Sequence, residues 1–355
     1  MIEDAGDTGR GPRRPSVPFA AFVLLGLGVV FATAWVLRDL MLLTFLAILF
    51  AVLLRAASDG LASRTGLPAG AAVLAVILAI LGLVVLAVIL VVPTLIQQGR
   101  ELVAAFPSLL DTAQKRISDT PFLAETWDQV QSQFNLPSPG AALSQVGSVV
   151  GIVSNSVSNL VFLFFTVIFL ALSPATYVDG LRWLVPEGER GFALRLLDEL
   201  GGTLRSWFGG QLVMMTMVGV LVWLGLWALG VPYSLALGVL AGLLDFIPYL
   251  GPILGAAPAI LVAFSISPTV GVWVLLLFVV VQQLEGNVVG PVVQESAVAI
   301  PPALLLVFLF GMGQIFGVTG LLVATPLLAV LIVLVKRIYV ERCLEGIDKA
   351  GQSAN

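Results

Sequence analysis

Two polar segments interrupt the apolar runs in the last third of this chain, and each contains an acid. The first runs from Asp245 to Pro252 with the sequence DFIPYLGP. Its two prolines each remove a backbone donor and break a helix. A carboxylate in apolar surroundings is costly and needs a partner. Asp245 is therefore interpreted either as a contact for a substrate, proton or cation, or as an N-cap on the helix that follows the break.

The second segment, QQLEGNVVGP at 282–291, places four polar side chains within six residues at the end of an apolar run. Either it is an interfacial turn from which Glu285 reaches water, or Gln283, Glu285 and Asn287 face Asp245 across a cavity. A third stretch, 311–320, contains four glycines and Gln314, which predicts a hinge or a re-entrant tip. We assign to a candidate substrate or ion path Asp245, Pro248, Tyr249, Gly251, Pro252, Gln282, Gln283, Glu285, Asn287, Gly290, Pro291 and Gln314.

The composition excludes most other chemistry. Apolar residues make up 59% of the 355 residues and charged residues 11%, against roughly 45–50% and about 25% in soluble domains. No histidine is present and Cys343 is the single cysteine, so we expect no metal site, no cofactor and no His-based catalysis. A net charge of −4 gives no basic surface for nucleic acid. We expect a protein that is not an enzyme.

Long unbroken runs of apolar residues predict an all-α polytopic membrane protein, since a spanning helix needs about 20 such residues. The runs at 235–265 and 303–335 are too long for one straight span, and both contain Gly and Pro, so we expect broken or re-entrant helices there. We divide the chain into a disordered cytoplasmic tail (1–16), spans one to three (17–93), an extracytoplasmic helical insert (97–148), span four (149–172), a cytoplasmic amphipathic segment (173–208), a C-terminal transport bundle (209–335) and a cytoplasmic tail (336–355).

Within the amphipathic segment, leucines at helical spacing mark one apolar face, which predicts a helix lying along the membrane. GxxxG pairs at 238/242, 251/255, 286/290 and 313/317 predict close helix packing or contacts between subunits.

The distribution of basic residues predicts the orientation. With the N-terminus in the cytoplasm, 13 of the 17 Lys and Arg residues fall on the cytoplasmic side, which agrees with the positive-inside rule. The tail after Val335 is counted on the cytoplasmic side, so the C-terminus is also expected in the cytoplasm and the number of crossings is expected to be even.

The two motifs, GLLDFIPYLGP at 242–252 and QQLEGNVVGP at 282–291, resemble the signature of the autoinducer-2 exporter family of bacterial membrane proteins. Pro302, Gly317, Gly320 and the run Leu322–Pro326 are similar to the family pattern as well. The resemblance covers about residues 20–340. It departs from some members at Asp245, where they carry Asn, and at Pro301, where they carry His or Asn.

The resemblance implies a transporter of the bacterial inner membrane with about eight spans, forming homo-oligomers in the lipid bilayer. Members are tied to export of autoinducer-2, a small polar quorum-sensing solute, or to sodium–proton antiport. Because the chain has no GxxxxGK[ST] phosphate loop, transport is expected to be gradient-driven or passive rather than ATP-driven.

Three functions remain open at this point. An exporter of a small polar organic solute should largely tolerate Asp245→Asn. A sodium–proton antiporter should lose exchange in the same variant, because the carboxylate must alternate between cation and proton. A non-transporting membrane scaffold should depend mainly on the 97–148 insert.

Overall fold

The computed structural model describes residues 38–118, 157–291 and 300–344, together with scattered positions between 25 and 37. Every regular element in these ranges is helical. The helices are α1 (Arg38–Thr65), α2 (Ala69–Leu90), α3 (Val92–Ser118), α4 (Val157–Leu172), α5 (Pro174–Trp183), α6 (Arg190–Ala228), α7 (Ser234–Leu244), α8 (Leu250–Ile266), α9 (Pro268–Leu284) and α10 (Pro302–Leu334). A 3₁₀ turn (Glu187–Glu189) precedes α6, and π-helical turns follow α9 (Glu285–Val289) and α10 (Val335–Leu344).

The chain is a polytopic membrane protein, and its described residues form helices only. Within the described residues, five helices are long and apolar enough to cross a bilayer, or six if the bent pair α4–α5 counts as one span. Helices α7 and α8, with 11 and 17 residues, are shorter than the roughly 20 residues that a span requires. The total of about eight spans stays a prediction, since most of residues 17–34, at the start of the predicted spans one to three, lie outside the described residues.

A short connection joins α1 to α2. Gly66 has a φ of +71° and its N–H donates to the carbonyl of Ala62 at 2.8 Å, which closes the end of α1. Pro68 then precedes α2.

Helix α6 differs most from the sequence-based expectation. It continues without a break for 39 residues, about 58 Å at 1.5 Å per residue, whereas the hydrocarbon core of a bilayer is about 30 Å thick. The segment 173–208 is therefore not one helix along the membrane. Only α5 turns away, by 82° from α4, while residues 190–208 form one helix with the following span.

Glycines allow the helices of the C-terminal bundle to pack closely. A Cβ atom added to Gly238 would lie 2.8 Å from the backbone of Trp223, and one added to Gly242 would lie 2.6 Å from the carbonyl oxygen of Met215. Helices α6 and α7 thus pack backbone against backbone, as the GxxxG pair 238/242 of α7 predicts.

The described part of the predicted insert is a continuation of α3 as far as Ser118. It packs on α7 and α8, where the side-chain oxygen of Gln98 accepts a hydrogen bond from the backbone of Ala236 at 3.1 Å. Residues 119–148 of the insert lie outside the described residues.

Side-chain clusters place the ends of several helices together. Leu49 of α1 packs with Leu204 and Phe208 of α6, while Leu54 packs with Ala171 at the end of α4. Arg337 beyond α10 contacts Glu199 of α6. The C-terminal ends of α1, α4 and α10 and the N-terminal half of α6 therefore form one end of the molecule. Its basic residues are Arg55, Arg64, Arg182, Arg190, Arg195, Arg205, Lys336 and Arg337.

Candidate functional site

A break between α7 and α8 holds Asp245. Asp245 follows the last residue of α7, and its N–H still donates to the carbonyl of Ala241 at 3.0 Å. Tyr249, with a φ of +64°, precedes α8 and no side chain caps that helix. The interpretation of Asp245 as an N-cap is therefore wrong. Asp245 instead lies at the negative end of the α7 dipole, where hydrogen-bond donors and cations are favoured.

The carboxyl group of Asp245 is enclosed by protein. The residue is 3% exposed, and within the described part of the chain its Oδ2 has no hydrogen-bond partner. A buried acceptor without a donor costs free energy. Asp245 is therefore a group that a proton, a cation or a hydroxyl donor would stabilise.

Gln211 of α6 fixes the main chain at the same residue. Its side-chain N–H donates to the carbonyl oxygen of Asp245 at 2.8 Å, and Gln211 itself is 5% exposed. This bond satisfies one of the carbonyls that the end of α7 leaves unpaired.

Aromatic rings hold the residue after Asp245. The ring of Phe246 lies 5.8 Å from that of Trp207 and 6.1 Å from that of Phe208, both in edge-to-face geometry. The next residue, Ile247, is buried in a cluster with Leu309 and Ala324 of α10. The break is thus packed against α6 on one side and α10 on the other.

The first motif depends on Gly251. A Cβ atom at this position would lie 2.0 Å from the carbonyl oxygen of Leu244, so only glycine allows α8 to start directly against the end of α7. Pro248 lies inside the break, where its carbonyl accepts from the N–H of Leu250 at 2.8 Å. Pro252 is half-buried, whereas Tyr249 is 46% exposed and lies at the surface of the described structure.

The second motif forms a π-helical turn after α9. Gln282 donates to Glu285 at 2.5 Å and Asn287 donates to Gln283, so these side chains pair along their own helix. Gln282, Gln283 and Asn287 are exposed, while Glu285 is half-buried.

Glu285 lies close enough to Asp245 for their two charges to interact. The turn then packs on α6, where a Cβ at Gly290 would lie 3.7 Å from the terminal methyl of Met214. Pro291, at the end of the turn, is exposed. The structure brings Glu285 near Asp245, but it pairs Gln283 and Asn287 with each other.

A sharp turn divides α10. Gly317 has a φ of +61° and a ψ of −143°, a conformation essentially restricted to glycine. Gly313 thereby comes within van der Waals reach of Leu321, and a Cβ at Gly320 would lie 2.2 Å from the carbonyl oxygen of Met312. Gln314 is exposed near this turn, and no hydrogen bond within the described structure joins it to Asp245.

Sequence reasoning missed the α6 residues that complete the site. Trp207, Gln211 and Met214 are spaced by four and three residues, so they occupy one face of α6. That spacing would have identified the stripe, but not its contact with Asp245. Thr325, within the run Leu322–Pro326 of α10, has a buried hydroxyl that also lacks a partner among the described residues.

The site has no metal-binding geometry in the part of the chain that the structure describes, where no three His, Cys, Asp or Glu side chains are grouped to hold an ion. Its titratable groups are the two carboxylates, Asp245 and Glu285. This arrangement can bind a cation or proton, or accept hydrogen bonds from a polar solute.

Sequence comparison relates this chain to known transport proteins. The chain matches the family model described as "AI-2E family transporter" over residues 20–339. "Putative transport protein YrrI" of Bacillus subtilis is 24% identical over 323 residues, covering 89% of this chain and 91% of that protein. "Putative permease PerM" of Escherichia coli K12 is 26% identical over 332 residues, covering 89% and 92%. "Putative transport protein YueF" of Bacillus subtilis is 31% identical over 192 residues, and the match spans about half of each protein, 54% and 52%.

Proposed function

This chain belongs to the AI-2E transporter family, and we propose that it exports a small polar organic solute, similar to autoinducer-2, across the membrane. The observation that carries this proposal is the buried Oδ2 of Asp245 at the break between α7 and α8, an acceptor that has no donor among the described residues. Hydroxyl groups of a neutral solute would supply the donor that this part of the chain does not.

The broken helices support the same proposal. Short helices that end inside a membrane protein direct their dipoles and unpaired main-chain groups at a substrate. Here α7 ends and α8 begins within five residues of Asp245, and Gln211 holds the main chain at that point. A membrane scaffold without transport would have no use for a buried carboxylate at such a break.

Efflux of labelled autoinducer-2 from proteoliposomes tests this function. Asp245→Asn keeps a side-chain acceptor, so transport should stay within a few-fold of the native rate, whereas Asp245→Leu should abolish it. Asp179→Asn, at an exposed acid on α5, is the matched control and should transport normally. Native transport by Asp245→Leu, or no efflux above empty liposomes from the native chain, would contradict the proposal.

Sodium–proton antiport is the second candidate, and the proximity of Glu285 to Asp245 favours it. Two nearby carboxylates at the negative end of a helix dipole are suited to bind a cation and to release protons in exchange. The exchange would need an ionisable Asp245.

Inside-out vesicles with an imposed pH gradient separate the two candidates. Dissipation of the gradient on adding sodium, lost in Asp245→Asn, would support antiport. An unchanged gradient, equal to that of empty vesicles, would exclude sodium antiport.

The location and assembly belong to the same proposal. We place the protein in the bacterial inner membrane with both termini in the cytoplasm, because eight basic residues of the described chain lie at one end of the molecule. We also propose that the protein has about eight spans and forms a homo-oligomer, as its resemblance to the family implies. Labelling of single cysteines in a Cys343→Ser background tests the orientation, and native mass spectrometry tests the subunit number.

A further inference from the structure

A cavity between α5 and the start of α6 lies far along the chain from the Asp245 site and plays no part in the transport proposal. It has a volume of about 220 Å³. Its wall is apolar, formed mainly by Leu181, Leu184, Leu194 and Leu197, and the side chains of Arg182 and Arg190 complete it with their apolar stems. Ligand pockets for whole small molecules are usually about 300–1,000 Å³, so this cavity fits only a segment of a larger ligand.

The position of α5 indicates where that ligand comes from. Helix α5 is bent by 82° from α4, so it lies close to the membrane plane if α4 crosses the bilayer. Trp183 and Leu184 at its end are each 81% exposed. Tryptophan and leucine on such a helix are typical of the interface between lipid headgroups and acyl chains.

The basic residues at the cavity are available to an anion. No acid within the described residues forms an ion pair with Arg182. Arg190 lies 5.9 Å from the ring of Trp183, and its Nε donates to the carbonyl oxygen of Val185 at 3.3 Å. Its Nη1 contacts Glu187 at 3.3 Å, but Glu187 is 88% exposed and such surface pairs are weak, so the terminal nitrogens of Arg190 can exchange Glu187 for an anion. A guanidinium nitrogen of Arg195 lies 3.6 Å from the Cβ position of Gly191, so a third positive charge lies beside the first turn of α6, where Gly191 follows Arg190 in the chain.

An apolar cavity lined in part by two arginine side chains, next to the bent helix α5, offers an apolar surface and positive charge together. An anionic lipid needs both. We propose that this cavity binds an anionic phospholipid, with an acyl segment against Leu194 and Leu197 and the phosphate between Arg182 and Arg190. Arginine recognises phosphate through paired N–H donors, which lysine cannot match. The lipid would join α5 to α6 at the end of the molecule where the basic residues lie.

The test measures lipid binding by native mass spectrometry of the full chain released from detergent. The probes are phosphatidylglycerol and phosphatidylcholine of the same acyl length. The native chain should bind phosphatidylglycerol about tenfold more tightly than phosphatidylcholine, and Arg182→Gln with Arg190→Gln should remove that preference. Equal binding of the two lipids by the native chain would overturn the proposal.

Two further variants distinguish a built site from general surface charge. Arg64→Gln with Arg205→Gln removes two exposed arginines at the same end but outside the cavity, and should leave the preference intact. Ala193→Leu keeps every charge and fills part of the cavity, so it should weaken phosphatidylglycerol binding several-fold. Equal losses in the two arginine double variants, or full binding by Ala193→Leu, would overturn the proposal.

Discussion

Arg337 forms a bidentate ion pair with Glu199, which joins the segment after α10 to the first half of α6. Its Nε lies 2.7 Å from one carboxylate oxygen and its Nη2 lies 2.9 Å from the other. A third N–H of the same guanidinium donates to Glu341 at 2.6 Å. Paired N–H···O bonds of this type fix direction as well as distance. The end of the last helix is therefore held to α6, 138 residues earlier in the chain.

Breaking this pair should loosen the contact between α10 and α6. We expect Arg337→Gln and Glu199→Gln each to lower the melting temperature in detergent, and the double variant to lower it by less than the sum of the two. The effect should shrink at high salt, because both side chains are partly exposed. Arg55→Gln, which breaks a pair within α1 at 3.0 Å, is the control and should change little. Additive effects of Arg337→Gln and Glu199→Gln would show that the pair does not couple the two helices.

Gln211→Leu should destabilise the break at Asp245. It leaves the buried carbonyl of Asp245 without its donor, which costs about 1–3 kcal/mol. Unfolding in a denaturing-detergent titration measures this loss. Thr216→Val, which removes an exposed hydroxyl bonded only to its own helix, is the control on the same helix and should unfold like the native chain. Equal stability of Gln211→Leu and the native chain would contradict the assigned contact.

Gly251→Ala should disrupt the junction between α7 and α8. The added methyl would meet the carbonyl of Leu244 at 2.0 Å, and because this is backbone, the helices must separate. Overpacking of this kind costs about 1–3 kcal/mol or more. Thermal unfolding followed by circular dichroism measures it. Gly311→Ala, where nothing lies within 4 Å of the new methyl, should leave the melting temperature unchanged or raise it.

A cysteine pair at positions 313 and 321 tests the turn in α10. In a straight helix these residues would be about 12 Å apart, too far for a disulfide. The contact of Gly313 with Leu321 predicts that Gly313→Cys with Leu321→Cys, in a Cys343→Ser background, crosslinks within one chain on mild oxidation. Mass spectrometry of proteolytic fragments detects the link.

The control pair has the same spacing within one limb of α10. Leu305→Cys with Gly313→Cys should not crosslink, since both residues lie before the turn at Gly317. A link in this pair, or none in the 313–321 pair, would show that α10 does not turn at Gly317.

The sequence predicted the interruptions of the C-terminal bundle because their causes are local. Pro248 lies in the break at 245–249, where its missing N–H and fixed φ disfavour regular helix, and Pro252 lies in the first turn of α8, where a proline is tolerated. The turn near Gly317 was likewise expected from the glycines at 311–320. In each case the residue that prevents regular helix lies at the break itself.

The partners across the site were not predictable, because they depend on helix packing. Gln211 reaches Asp245 from 34 residues earlier, and nothing in the spacing of either segment identifies that pair. The continuity of α6 was missed for a different reason. Its polar first half resembles a separate amphipathic helix, but no proline lies between Pro186 and Pro232 to end it.

Helix α6 carries two contacts of the C-terminal bundle, one through Glu199 and one through Gln211. The two residues are 12 positions apart, so they lie about 18 Å apart along the helix axis and about 120° apart around it. A helix without a break turns as one body. Rotation of α6 about its axis would therefore withdraw Gln211 from Asp245 and Glu199 from Arg337 in the same movement. Such a rotation therefore cannot release one of the two contacts while it keeps the other.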